Sequence, residues 1–479
     1  MDDMTHRWLI GLALAVCCMA APEWTRFRGP NGTGVNESGP LPVEFGKEKN
    51  LVWRTGLAPG YSSPVLGGGC VYVTSYDGPK EAHTGWTHCI DARSGAERWK
   101  RQGFQLDKRF LSVNTPVSST AVTDGTNVYV FFEAAGLVSY DAEGKERWRR
   151  ELGRFNNPYG MANSPILAGK TLILQADQDT EAYLLAVDAE TGKTLWRKER
   201  PEAQHGYSTP VVWAPEGGAA QLVVSGSYQV AGYSVETGEK LWWVGGMAWQ
   251  AKSVPVLDGN RLYVHSWMAE LSEIAGKLPK GMTWEAFLKE YDKDNDGKIG
   301  KTEAPDEEMT KLWFLFDLDR TGSIEQRDYE VVQARANARS GLFAIDLGGR
   351  GDMTKTAIRW KAEKSLPNIP SPVLYRGVLY VLKEGGILTA YAPADGKILK
   401  QGRVDGAVDT YFASPVASDG KLITAAKGGK VAVLKAGSEW EVLRVNDLEE
   451  EVWATPAVEG GRLFVRTQNA LYCFGEQTP

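Results

Sequence analysis

Short apolar runs recur along the chain: CVYVTSY at 70–76, NVYVFFE at 127–133, TLILQA at 171–176, RLYVHSW at 261–267, GVLYVLK at 377–383 and RLFVRT at 462–467. Some alternate and some are continuous, which is the pattern of β-strands buried on one face or on both. Two phrases bracket them. Ahead stands a Ser/Thr-Pro-Val type start: SSPV at 62–65, STAV at 119–122, NSPI at 163–166, STPV at 208–211, SVPV at 253–256, PSPV at 370–373, ASPV at 413–416 and ATPA at 454–457. Behind comes a strand, a polar turn with Gly, and a Trp strand. CIDARSGAERW (89–99) and AVDAETGKTLW (186–196) are the clearest, with SYDAEGKERW (139–148) and GYSVETGEKLW (232–242) close to them. AIDLGGRGD (344–352) carries a longer turn, and AYAPADGKILK (390–400) and AVLKAGSEWEVL (432–443) are degenerate.

The proline of the first phrase (Ala121 in the second unit) is spaced by 57, 44, 45, 45, 117, 43 and 41 residues. Four short strands in such a unit match one blade of a propeller. Eight units are present, and the eighth ends at LYCFG without a Trp strand of its own. KNLVWRT (49–55) supplies that strand, which closes the ring and leaves no open edge at the join. The expected fold is all-β: an eight-bladed β-propeller of four-stranded blades with a small α-helical insertion. Trp53, Trp99, Trp148, Trp196, Trp242 and Trp360 hold the same place in six units. Each is expected to dock on the next blade's turn, whose Gly takes positive φ.

The 117-residue interval marks an insertion at 269–340, acidic and helical in pattern, between the propeller segments 50–268 and 341–479. It holds two twelve-residue loops. DKDNDGKIGKTE (292–303) places Asp292, Asp294 and Asp296 at positions one, three and five, the Lys298 carbonyl at seven and Glu303 at twelve. Hard Ca²⁺ takes six to eight oxygens, and this spacing supplies them. DLDRTGSIEQRD (317–328) offers Asp317, Asp319, Thr321, Ser323 and Asp328, with the shorter Asp at position twelve. The first loop resembles the EF-hand at every ligand position, so the insertion reads as an EF-hand pair. The expected role of calcium is to fold the insertion; a sensor that opens an apolar face is the sharper alternative.

The D-x-x-T-G-x-x-x-W turn, as in DAETGKTLW (188–196), resembles the repeat of pyrroloquinoline-quinone (PQQ) type propellers. That family includes quinoprotein alcohol dehydrogenases and an outer-membrane assembly lipoprotein without the quinone. WTRFRGPNGTGV (24–35) resembles the opening of exported bacterial members of unknown role. The resemblance implies the propeller firmly and the activity weakly. Quinone catalysis needs PQQ in the central funnel, Ca²⁺ beside it and an Asp base, and many members carry adjacent disulfide-linked Cys. The adjacent pair here, Cys17 and Cys18, lies in the leader, and the family's cofactor ligands match no position of this chain.

Trp8–Ala20 is apolar, of signal-peptide length and too short to span a membrane, so residues 1–20 are expected to be a signal peptide, followed by an N-terminal segment at 21–49. Export to the periplasm or beyond follows. Of the mature Cys, Cys70 and Cys89 are a candidate cross-strand pair, left open by the sequence. The net charge is −6 with scattered Lys and Arg, which argues against a nucleic-acid partner. Five His form no zinc motif, and no GxSxG elbow or phosphate loop occurs. Large or polar residues precede the inner strands: Tyr61, Tyr159, His205, Tyr207, Trp249, Lys252, Asn368, Tyr411 and Trp453. They are candidates for an aromatic channel mouth that stacks a sugar or a flat ring; the plainer alternative is packing between blades. The expected function is a calcium-binding scaffold for a protein or carbohydrate ligand, without catalysis and with PQQ not favoured. A PQQ-dependent dehydrogenase and a polysaccharide-binding or -processing protein are the alternatives.

Overall fold

The computed structural model describes residues 23–79, 82–106, 114–267 and 282–476. The expected leader at 1–20 lies outside these residues, as does the start of the insertion at 269–281. Eight sheets form the wheel. Blade one holds Val65–Gly67, Cys70–Asp77, His83–Asp91 and Glu97–Leu106, in that order from the hub outwards. Second strands are buried on both faces between neighbouring blades, as in Val128–Phe132. Outer strands such as Thr194–Glu199 are largely exposed and polar. Burial on both faces is why the second strands read as continuous apolar runs.

Blade eight takes its outer strand from Leu51–Gly56, paired antiparallel to Ala470–Gly475 with Trp53 opposite Cys473. The ring therefore closes as the sequence predicts. Blade five is interrupted after Arg261–Ser266 by the helical insertion and resumes at Gly341–Asp346. No helix among the described residues is long and apolar enough to cross a membrane.

Two sets of contacts lock blade to blade. On the outside, the indole Nε1 of Trp53, Trp99, Trp148, Trp196 and Trp360 donates to a turn carbonyl of the next blade, at Ala92, Ala142, Ala189, Val235 and Pro393 respectively. The ring lies flat over the glycine of that turn. At Gly144, φ is 76° and an added Cβ would stand 2.6 Å from the Trp99 ring, so only glycine fits.

On the inside, the residue before the strand-start proline (Ala121 in blade two) carries, in every blade but the fifth, a hydroxyl that accepts the preceding blade's backbone N–H. Ser63 N–H donates to Thr120 Oγ1 (2.9 Å), Thr120 to Ser164 Oγ (3.0 Å) and Ser164 to Thr209 Oγ1 (3.3 Å). Val254 N–H donates to Ser371 Oγ (3.0 Å), Ser371 to Ser414 Oγ (2.9 Å), Ser414 to Thr455 Oγ1 (3.0 Å) and Thr455 back to Ser63 Oγ (3.0 Å).

Both locks lapse at one seam, between blades four and five. Val254 has no hydroxyl to offer there. Trp242, expected to clasp the next turn, instead donates to Gln221 of its own blade (2.8 Å) and is fully buried against Gly232. The long turn of blade five takes over. Its Gly351–Asp352 segment adds a fifth, parallel strand to blade four beside Trp242 and Trp243, and Gly245 N–H donates to Thr354 Oγ1 (2.9 Å).

The segment from Trp24 to Asn36 crosses one end of the channel. Leu66 and Thr123 amides donate to the Trp24 and Thr25 carbonyls. Arg26 donates to Pro210 O (2.5 Å), Arg28 to Pro372 O (2.6 Å), Asn31 to Val212 O (2.8 Å) and Asn36 to Val458 O (3.1 Å). These partners lie on opposing blades, so the segment spans the axis and seals it. Burial pushes the Arg26 and Arg28 guanidinium groups down to about 9. Cys70 is disulfide-bonded to Cys89 across two strands of blade one, and Cys473 is a buried free thiol pushed up to about 12 by burial.

Trp99→Ala is expected to cost about 3–5 kcal/mol in urea unfolding, the range for deleting a packed large aromatic. Gly144→Ala is expected to destabilise as well, because the same ring and the positive φ both reject a Cβ. A fall below about 1 kcal/mol for both would show that the clasps contribute little.

Candidate functional site

The inner belt also sets the chemistry of the channel. Side chains two residues apart on an extended chain share a face. Two residues ahead of the belt stand Tyr61, Ser118, Ala162, Tyr207, Lys252, Ile369, Phe412 and Trp453, and all eight line one cavity of about 460 Å³. The belt residues Ser63, Thr120, Ser164, Ser371, Ser414 and Thr455 line it below, and Phe27 of the crossing segment also borders it. The result is a two-tiered funnel, sealed at the bottom, of a size usual for small-molecule sites.

The upper tier is asymmetric. Trp453 is sandwiched between Tyr61 (4.4 Å) and Phe412 (4.3 Å), both within 7° of parallel, with Lys427 over its ring at 4.8 Å. Blade five, across the wheel from blade one, contributes Lys252. Its Nζ donates to Asn368 Oδ1 (2.6 Å) and lies 5.5 Å from the Trp267 ring. Burial pushes this ammonium down to about 8, with Glu384 opposing weakly. Glu384 is engaged with the Asn368 backbone amide (3.1 Å). Burial also pushes Tyr61 up to about 12, and Tyr207, which donates to Asn157 Oδ1 (2.9 Å), is raised for the same reason.

Of the nine mouth candidates, Tyr61, Tyr159, Tyr207, Lys252, Asn368 and Trp453 line the funnel. Three do not. Tyr411 is fully buried, its hydroxyl bonded to Ala407 O (2.5 Å); it is one residue out of register, and its neighbour Phe412 faces the lumen. His205 stands behind the wall, bonded to Asp179 Oδ1 (2.7 Å) and to Gln250 (2.8 Å). Trp249 packs under the insertion, with the Arg335 guanidinium 5.0 Å from its ring. Phe412, Gln250, Ser118 and Trp267 were missed, although counting two back from the belt residue finds the first and third.

The insertion lies against blades three and four. Its helix Gln326–Asn337 docks through Arg327, which donates to Pro201 O (3.0 Å), Asp179 O (2.8 Å) and Ala203 O (3.2 Å). Arg335 donates to Gln204 Oε1 (3.1 Å). The two acidic loops lie side by side through the Ile299–Ile324 pair. Asp292, Asp294 and Asp296 bring carboxylate oxygens within 4.8 Å of one another, and so do Asp317, Asp319 and Asp328. Asp292 Oδ1 is buried without a hydrogen-bond partner among the described residues. Glu303 accepts from the Lys293 (2.8 Å) and Gly300 (2.7 Å) amides. Lys298 carries its side chain away to Glu325 (2.5 Å), so only its carbonyl is left to the loop. Thr321 donates to the Ser323 carbonyl (3.2 Å), and burial pushes the Asp328 carboxyl up to about 6.

The family described as "Outer membrane protein assembly factor BamB" matches residues 46–154 and 83–266. Among solved structures, BamB from Moraxella catarrhalis aligns with a TM-score of 0.53 at 11% identity, over 90% of this chain and 98% of that one. The fold is that of the PQQ-like β-propellers. A europium-containing methanol dehydrogenase aligns at 0.58 and 9% identity over 95% and 98% of the two chains. A quinohemoprotein alcohol dehydrogenase from Pseudomonas putida HK5 aligns at 0.55 and 13% over 96% and 82%. No curated protein sequence matches the chain. Within this PQQ-like wheel the funnel occupies the hub, and the acidic loops ride on a blade-five insertion off the axis.

Lys252 gives a pH signature. Its native-state pKa lies below the unfolded value of 10.5, at about 8. The charged form is thus penalised on folding below pH 8, and the penalty lifts as pH rises through the 8–10.5 window. Relative to Lys252→Met, wild type is expected to gain stability between pH 7 and 10 in urea titrations. A flat difference across that window contradicts a buried ammonium held by an amide.

Proposed function

We infer that the protein is an exported calcium-binding propeller whose funnel holds a small organic ligand without transforming it. The observation that carries this reading is the lining of the sealed funnel. Among the described lining residues there are hydroxyls, amides, aromatic rings and one ammonium, but no carboxylate. A bound quinone with a calcium ion beside it needs carboxylate ligands and an acid base at the same place. The residues here do not fit that group, so the dehydrogenase reading is set aside and no step is derived through PQQ. The Cys70–Cys89 disulfide and the Trp8–Ala20 leader-like run support export.

The insertion is read as an EF-hand pair. Asp292, Asp294, Asp296, the Lys298 carbonyl and Glu303 would hold Ca²⁺ in the first loop; Asp317, Asp319, Thr321, Ser323 and Asp328 would hold a weaker site in the second. The unpartnered Asp292 Oδ1 supports the first assignment. A bound cation neutralises the clustered carboxylates and fixes the loop between its helices. The 269–340 segment is accordingly proposed as a calcium-folded module, with 50–268 and 341–479 forming one propeller.

Calorimetric titration of the EGTA-treated full chain with Ca²⁺ is expected to give saturable binding that Asp292→Asn with Glu303→Gln abolishes at the tighter site. Ca²⁺ at about 100 times Kd is expected to stabilise the native insertion by about 2.7 kcal/mol. No heat and no stabilisation would overturn the calcium assignment. Incubation with PQQ and Ca²⁺ is expected to yield no alcohol-dependent dye reduction, and turnover would overturn the non-catalytic reading.

A further inference from the structure

We propose that the funnel receives the uronic-acid end of an acidic oligosaccharide. This rests on the ligand-binding reading and names the class of ligand. The first observation is the seal. The crossing segment is bonded to opposing blades, so a polymer cannot thread the channel and only a chain end can enter.

The second observation is the lower tier. Each belt oxygen is already an acceptor for a neighbour's N–H, while its own O–H has no protein acceptor among the described residues. Six such hydroxyls face the same lumen, from Ser63, Thr120, Ser164, Ser371, Ser414 and Thr455. A ring of donors converging on one space suits an oxygen-rich guest that accepts hydrogen bonds.

The third observation is charge. Lys252 is the one ionised side chain of the described lining, and it is held at the wall by Asn368 rather than by an acid. A half-buried ammonium at the wall of a cavity recognises one carboxylate.

The fourth observation separates a sugar acid from a flat aromatic acid. Both faces of Trp453 are occupied by Tyr61 and Phe412, so no planar guest can slide against it. Among the described residues, what the upper wall leaves unpartnered is polar: Gln250 Oε1, Asn368 Nδ2 and the Tyr61 and Tyr159 hydroxyls. These pair with the hydroxyls of a pyranose, which a flat aromatic acid lacks.

The test is tryptophan fluorescence and calorimetric titration of the full chain. The probes are galacturonic and glucuronic acid oligomers, the matching neutral galactose and glucose oligomers, benzoate and PQQ. Acidic sugars are expected to bind at least about tenfold tighter than neutral ones, the effect of one charge-assisted hydrogen bond. Lys252→Gln is expected to erase that preference while leaving weak neutral-sugar binding, and added salt to narrow it. Equal affinity for acidic and neutral sugars, or an unchanged preference in Lys252→Gln, overturns the proposal. Tighter binding of benzoate or PQQ overturns the sugar class. A neutral oligomer that saturates the funnel at least as tightly as its acidic counterpart, with its signal lost in Trp453→Ala, ends the acidic-sugar assignment but leaves ligand binding standing. No saturable change with any probe ends both.

Discussion

The belt of hydrogen bonds from backbone amides to hydroxyls around the hub is the constraint from which the rest of the molecule follows. Each link fixes the start of one inner strand against the next, and the last link returns to the first blade. That spacing sets the bore of the channel, and the register fixes which side chains face it. A net hydrogen bond contributes only about 0.5–1.5 kcal/mol. Geometry therefore matters more here than summed strength, because an unsatisfied N–H at a buried strand start costs more than the bond returns. The Trp clasps act at the other end of the radius, where each indole both covers a glycine turn and satisfies a carbonyl.

The seam between blades four and five shows what happens when both devices lapse together. Val254 and Trp242 each break the pattern, and both are compensated by the same neighbour. The lengthened turn of blade five lends a short parallel strand to the outer edge of blade four. The insertion, which leaves the chain within blade five, lies back across blades three and four through Arg327 and Arg335. The locks are thus replaced by added chain rather than dispensed with. Trp242 turns inward because the turn it should cover has been reshaped.

Much of this was legible in the sequence. The Pro-bearing starts and the Trp phrases gave the blade count, and Trp53 in KNLVWRT gave the closing strand. The insertion was visible as a broken interval with helical spacing. The channel wall was legible only in part, because a strand alternates faces and an error of one residue inverts the reading. Tyr411 was chosen over Phe412 for being large, while register alone decides. His205 and Trp249 lie in loops ahead of the extended residues, where the period of two does not apply. The segment at 24–36 carries no strand pattern, so its passage across the hub was invisible. It is held by arginine and asparagine side chains on carbonyls of distant blades, a long-range arrangement that no local spacing encodes.

The separation of the two candidate sites narrows what the molecule can do. In quinone chemistry the cation must touch the organic group it activates. Here the clustered carboxylates belong to an insertion beside blades three and four, while the funnel wall carries an ammonium. A physical path does join them. Arg327 neighbours Asp328 and donates to the Asp179 carbonyl; Asp179 bonds His205, and His205 bonds Gln250 at the funnel wall. An ion in the second loop would therefore act on the funnel by steadying the helix that anchors this path, and not by polarising a guest. Structural support at a distance, rather than Lewis-acid chemistry, is the role that this placement would leave to a metal bound there.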